Sequence, residues 1–304
     1  MSSTTGSSNT NGFRMKSTNG RKPKPSLRLL RAWFGATSRL APRVAERHAA
    51  RLFLTPRRRR SPGEPVIDGR PAGRFTIELD RHRLAAWSWG DGPLALLVHG
   101  WEGSAAHMVP AATRLADVGF RTVLLDMPAH GQSSGRLTSL VEWVQVLRAL
   151  PAALGAPDIV MGHSFGAAAA TFALAGGLPA RRAVLLAPPL GPMHFVERAR
   201  RFIGLPEPRV PGMVRRLEEL VGRDIAELDT SRAARTVTIP GLILHDPHDP
   251  DVPWAHAAEL ARAWSGSRLV SCDGVGHYRI LADAEVLDAL ATFVRHESPS
   301  FAAP

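Results

Sequence analysis

Apolar and polar positions along this chain follow a pattern that changes period. From Phe75 to Leu79 they alternate with period two, and after a turn near Asp80-Arg81 a second strand runs from Leu84 to Trp89. That period predicts an antiparallel hairpin. Beyond Gly90-Asp91-Gly92-Pro93 the run Leu94-Ala95-Leu96-Leu97-Val98 is unbroken, as expected of a strand buried on both faces. Short apolar runs at 121–126, 158–161, 182–187, 240–245 and 267–272 then alternate with helical patterns at 104–117, 139–153, 165–176, 254–264 and 281–295. The alternation predicts an α/β fold, a mostly parallel sheet with helices on both faces. It is interrupted once, between Pro189 and Ile239. There Val210, Met213, Val214, Leu217, Leu220 and Val221 fall at helical spacing, with Arg215, Arg216, Glu218 and Glu219 opposite. A helical insertion at 190–238 suits a small lid, or a segment that packs on the body without moving.

Upstream of the hairpin the pattern is different. Residues 1–25 are rich in Ser, Thr, Asn and Gly with scattered Lys and Arg, too polar to offset ordering entropy, and are expected to be a disordered basic arm. Residues 26–60 predict two amphipathic helical segments that meet near Pro42, since proline opens a helix better than it continues one. In the second, Val44, Ala45, His48, Ala49, Leu52 and Phe53 share a face beside Arg43, Arg47 and Arg51. The Pro/Gly-rich stretch 61–72 reads as a linker to a domain spanning 73–304.

Charge follows the same division. The chain carries 38 Lys/Arg, 27 Asp/Glu and a net charge of +11; residues 1–60 hold 15 of the basic residues and one acid, Glu46, leaving 23 basic and 26 acidic residues for the rest. Basicity therefore describes the arm and not the body. The arm's face has two main readings: packing on the body with its arginines solvated, or docking on an anionic membrane surface through residues 26–60. A targeting presequence is a further reading of so basic a stretch. A nucleic-acid contact is disfavoured, because no aromatic interleaving or recognisable module accompanies the charge. No run of eighteen apolar residues occurs and the N-terminal stretch lacks a continuous apolar segment of signal-peptide type, so neither insertion nor secretion is expected, and the single cysteine, Cys272, has no internal disulfide partner. The expected location is the cytoplasm, with peripheral membrane contact through the arm as its variant.

The chemistry gathers at strand ends. Residues 159–170 read as a short apolar strand, Gly-x-Ser-x-Gly, and an alanine-rich helix, which is the context of a nucleophile elbow with Ser164 at its tip. Gly162 and Gly166 would let strand and helix approach closely there. A serine nucleophile needs a base and a carboxylate to orient it. His277 lies in Gly-Val-Gly-His-Tyr after the last strand, and Asp246, Asp249 and Asp251 lie together after the one before. His245, His248 and His256 beside these carboxylates leave a metal site as an alternative. After the buried strand, His99-Gly100-Trp101-Glu102-Gly103-Ser104 offers the Trp101 backbone N–H as one oxyanion donor, and Phe165, following the serine, offers the other.

Five motifs stand in order: HGWEGS, DMPAHGQS from Asp126 to Ser133, GHSFG, DPDVP and GVGHYRIL. Over roughly 73–296 the chain resembles the α/β-hydrolase family, in particular a bacterial esterase or lysophospholipase-like branch. The resemblance implies the α/β-hydrolase fold with a small lid, a catalytic Ser164, Asp249 and His277, and no cofactor. Asp249 is chosen among the three carboxylates because the family's acid usually precedes x-x-Val-Pro. The implied activity is hydrolysis of a small-molecule carboxylic ester through an acyl-enzyme. Acyl transfer or thioester hydrolysis on the same site, and a non-catalytic membrane-associated scaffold, are the alternatives.

Overall fold

The structure, a computed structural model, describes residues 25–57, 65–67 and 70–296. Eight strands form one sheet: β1 (Gly73–Leu79), β2 (His82–Trp89), β3 (Leu94–Val98), β4 (Arg121–Leu125), β5 (Ile159–His163), β6 (Arg182–Leu186), β7 (Gly241–His245) and β8 (Ser267–Ser271). Their spatial order is β8-β7-β6-β5-β3-β4-β2-β1. β1 and β2 form the expected hairpin, with Phe75 opposite Ala86, and β2 also runs antiparallel to β4. The other pairs are parallel. β3, β5, β6 and β7 are buried along their whole length, the reason their sequences are unbroken apolar runs and not alternating ones.

Among the described residues the α-helices longer than a single turn are α1 (Pro25–Leu40), α2 (Pro42–Phe53), α3 (Val109–Asp117), α4 (Leu140–Ala149), α5 (Phe165–Ala175), α6 (Met193–Ile203), α7 (Val210–Val221), α8 (Thr230–Ala234), α9 (Trp254–Ala263) and α10 (Ala284–His296). Trp143 and Leu147 of α4, the alanines of α5 and Leu260 of α9 fill a core on one face of the sheet. Leu115 of α3 and Leu290 of α10 belong to the core on the other. Chain direction across the sheet reverses around β3, which lies between β4 and β5. In open α/β sheets ligands bind at such a switch point, outside the carboxyl ends of the strands.

A third core joins the N-terminal helices to the insertion. Phe34 of α1 and Ala45, Ala49 and Ala50 of α2 pack with Val196 and Ile203 of α6 and Met213 and Leu217 of α7. The face of α2 is rotated from the one the apolar pattern marks: Val44, His48 and Leu52 are exposed, and Glu46 is buried beside Ala45, Ala49 and Ala50. A carboxylate is tolerated there because it abuts Gly212 in the first turn of α7, where a side chain would collide with it, and stands 4.0 Å from the Arg209 guanidinium. The positive end of a helix favours an anion. Part of the expected linker is also structured, Val66–Ile67 pairing with Arg70–Pro71. Residues 1–24, expected to be disordered, lie outside the described residues.

Candidate active site

Ser164 sits between β5 and α5 at φ 51° and ψ −117°, a strained conformation for a residue with a side chain. The strain is held by close packing on both sides. A Cβ on Gly162 would strike the backbone of Gly166 and Ala167, and one on Gly166 would strike the carbonyls of Val98 and His99. The Ser164 N–H donates to Leu186 O of β6 at 2.8 Å. The hydroxyl is thereby fixed above the carboxyl ends of the central strands.

Two loops meet it. His277, in a single helical turn after β8, places Nε2 3.0 Å from Ser164 Oγ and Nδ1 2.7 Å from Asp249 Oδ2. An ionised carboxylate only accepts, so Nδ1 carries the proton and Nε2 is left as the acceptor for the serine hydroxyl. Asp249 Oδ1 accepts the backbone N–H groups of Asp251 (2.7 Å) and Val252 (3.0 Å). Burial works to raise the Asp249 pKa, but the hydrogen bond and charge of His277 and these two N–H groups outweigh it and hold the carboxyl below its ordinary value.

The neighbouring carboxylates have other partners. Asp246 accepts the backbone N–H of His248 at 2.8 Å and that of Gly276, and so joins the acid loop to the residue before His277. Asp251 is paired with Arg198 of α6, while His194 of the same helix donates to Asp251 O at 2.8 Å. Asp249, Asp251 and His277 bring ligand-type atoms within 4.8 Å of one another. Arg198 already occupies the Asp251 carboxylate, so the cluster is not arranged around a cation. His245 donates Nε2–H to Val252 O at 2.9 Å and braces the loop.

Three further histidines shape the site. His163 donates Nε2–H to His277 O at 2.8 Å; burial above all, then the nearby His277, lowers its pKa to about 3 and keeps it neutral. His99 Nε2 accepts the Met127 N–H at 3.0 Å, so its Nδ1–H donates to Gly100 O at 2.7 Å. His130 Nε2 accepts the Glu102 N–H at 3.0 Å, which holds Glu102 at φ 58°. Asp126 reaches further than its own turn, accepting from Ala105 N as well as Gln132 N, both at 2.7 Å. The loop from His99 to Ala105 is thus tied down along its length.

It runs close past the serine: a Cβ on Gly100 would lie 3.3 Å from Ser164 Cβ. Among the described residues, the backbone N–H groups of Trp101 and Phe165 have no acceptor. Their rings meet edge to face at 5.1 Å, and Trp143 packs against Phe165 at 4.9 Å and His99 at 5.2 Å. Trp143 had no mark in the sequence beyond its place on an apolar helix face. Arg57, which the sequence marks only as the first of the basic run 57–60, forms a two-pronged pair with Glu102 (2.8 and 2.9 Å), and its guanidinium lies over the Phe202 ring of α6. Both contacts cross long stretches of chain and have no local signature.

The strand order, the elbow and the three facing side chains define an α/β-hydrolase type of architecture. A family model described as the alpha/beta hydrolase family matches residues 95–289, well over half the chain, and the chain belongs to that family. No curated protein sequence matches it. Among solved structures, one described as a putative lipase from Acinetobacter baumannii is 16% identical, with TM-score 0.59 over 91% of this chain and 98% of that one. An esterase from Butyrivibrio proteoclasticus with bound ferulic acid is 20% identical, with TM-score 0.58 over 73% of this chain and 98% of its own. An esterase from Rhodococcus sp. ECU1013 is 18% identical, with TM-score 0.56 over 75% and 99%. At these identities the likeness is one of fold.

Proposed function

We propose that the protein is a serine hydrolase that cleaves carboxylic esters through an acyl-enzyme. The observation that carries the reading is the continuous chain Ser164 Oγ, His277 Nε2, His277 Nδ1, Asp249 Oδ2 at 3.0 and 2.7 Å. Ser164 Oγ attacks the acyl carbonyl while its proton passes to His277 Nε2. The negative charge that forms on the carbonyl oxygen is met by the Trp101 and Phe165 N–H groups, which are rigid and cost no reorganisation at the moment of reaction. The C–O bond of the ester breaks as His277 returns the proton to the leaving alcohol. Water, deprotonated by the same nitrogen, then attacks the acyl-serine, and the acid is released with Ser164 restored. Asp249 stays ionised throughout and stabilises the imidazolium.

The chain's own residues supply every proton transfer in this sequence, so it runs without a cofactor. The Trp101–Phe165 ring pair makes an apolar wall beside the carbonyl site, suited to an acyl group and not to a charged one. The test is hydrolysis of p-nitrophenyl esters of increasing acyl length by the wild-type protein and by Ser164→Ala. A loss of roughly 10⁴-fold or more in kcat/KM is expected, with labelling of the wild type alone by a fluorophosphonate. A folded wild-type protein that cleaves none of the esters and takes no label would end the hydrolase reading.

A further inference from the structure

We propose that the outer face of α1 is a docking surface for an anionic lipid bilayer. α1 has two apolar faces. The inner one, centred on Phe34, is buried in the core shared with α2, α6 and α7. The outer one carries Leu29, Trp33 and Leu40, which are 72%, 39% and 86% exposed. Their spacings of four and seven residues, with Ala32 and Ala36 between, place them on one stripe along the helix. Single exposed leucines are ordinary on a protein surface. A stripe of them outside the packed face of a helix is not, and here Trp33 borders that face, its ring meeting His48 of α2 at 5.1 Å.

Charge identifies the partner. Arg28 and Arg39 of α1 and Arg43 and Arg47 of α2 are exposed in the same two helices. The arm's one acid, Glu46, is buried against α7, so nothing on the outer surface of these helices offsets the cations. A second copy of the chain would bring two such surfaces together against their own repulsion. A nucleic acid would satisfy the arginines and leave the leucine and tryptophan stripe unused. A bilayer containing anionic lipid satisfies both, with phosphates for the guanidinium groups and the headgroup–acyl boundary for Trp33 and the leucines. Among the described residues no helix is long and apolar enough to cross a membrane; the contact is one that lies on the surface. α1 is joined to the body by the Arg31 guanidinium, which donates to Phe202 O at 2.9 Å, so a docked helix holds the whole protein at the bilayer.

The test uses the full chain with sedimented vesicles of phosphatidylcholine alone or mixed with phosphatidylglycerol. The wild type is expected to bind the mixed vesicles and not the neutral ones, with a partition coefficient that falls as salt rises. Leu29→Ser/Leu40→Ser removes only side chains that project from the fold; its thermal unfolding should match the wild type while its partition coefficient falls about tenfold or more. Arg28→Ser/Arg39→Ser/Arg43→Ser should lose most of the salt dependence. Ser164→Ala should bind like the wild type, which separates this surface from the hydrolase reading. Equal vesicle binding by the leucine double variant would overturn the proposal, because residues 1–24 would then carry the attachment. So would a wild-type dimer that the double variant converts to monomer without any vesicle binding.

Discussion

Asp246, Asp249 and Asp251 occupy one loop, and each has a different partner. Asp249 faces the His277 ring, Asp246 the backbone before it, and Asp251 the guanidinium of Arg198. If Asp249 orients the base, Asp249→Asn should lower kcat/KM by about 10³ to 10⁴-fold with little change in KM, because the amide supports the wrong imidazole tautomer. Asp246→Asn keeps an oxygen for one backbone N–H and loses the other acceptor. Its activity should lie between the wild type and Asp249→Asn in the same steady-state assay, with a fall in thermal stability that Asp249→Asn does not show to the same degree. Sequence alone left the three carboxylates open; the family frame before Val252-Pro253 chose among them. Which oxygen points at the histidine is decided by the turn that the Asp251 and Val252 N–H groups impose. Asp followed by Pro signals such a turn, but Asp246-Pro247 carries the same signal and makes the same turn with the His248 N–H, so residue type does not separate the two.

The strand–turn–helix element around Ser164 was the most legible part of the chain, because its requirements are local: an apolar strand, two glycines at fixed offsets and a helix former. Gly166→Ala should destabilise the protein by about 3 kcal/mol, since the new Cβ meets backbone carbonyls that cannot swing aside; denaturant unfolding measures it, and the proposed ester hydrolysis should fall with it. α2 was less legible. Its apolar positions marked Val44, His48 and Leu52 for packing, and the partner surface, supplied by α6 and α7 some 150 residues away in sequence, turned the helix so that Glu46 went inward. Phe34, fully buried at this junction, is the residue whose loss should free the arm. Phe34→Ala is expected to cost about 3 to 4 kcal/mol and to expose the arm's arginines to trypsin before the body is cut. Arg57 lies just beyond the C-terminal end of α2. Arg57→Ala removes an exposed pair worth about 1 kcal/mol or less, so stability should scarcely change, whereas kcat should fall because Glu102 adjoins the proposed Trp101 donor. An unchanged kcat would show that His130 suffices to hold the loop.

Over the whole molecule, buried neutral histidines set the response to acid. His163 titrates at about 3 against an ordinary 6.5, and burial also holds His99 well below that value and His245 below it. Their unfolded forms bind protons that the folded forms refuse. Stability is therefore full above about pH 6.5 and declines as pH falls toward 3, by about 1.4 kcal/mol per pH unit for each histidine whose native form stays neutral. Urea midpoints measured from pH 7.5 to 4 should show this slope, and a flat profile would mean that these rings are hydrated.

The order of strands and helices, the elbow, the five motifs and the confinement of positive charge to the first sixty residues were all determined by the sequence, because each depends on residues near one another in the chain. Periodicity reports burial, and glycine at a fixed offset reports close approach. Tertiary structure alone decided which face of α2 is inward, that Trp143 backs the aromatic wall, and that Arg57 pairs with Glu102; it also set the Asp249 carboxylate, which the family frame had favoured, against the His277 ring. These are pairings between segments far apart in sequence. Their geometry follows from how whole elements pack, and no single element carries the information that selects its partner.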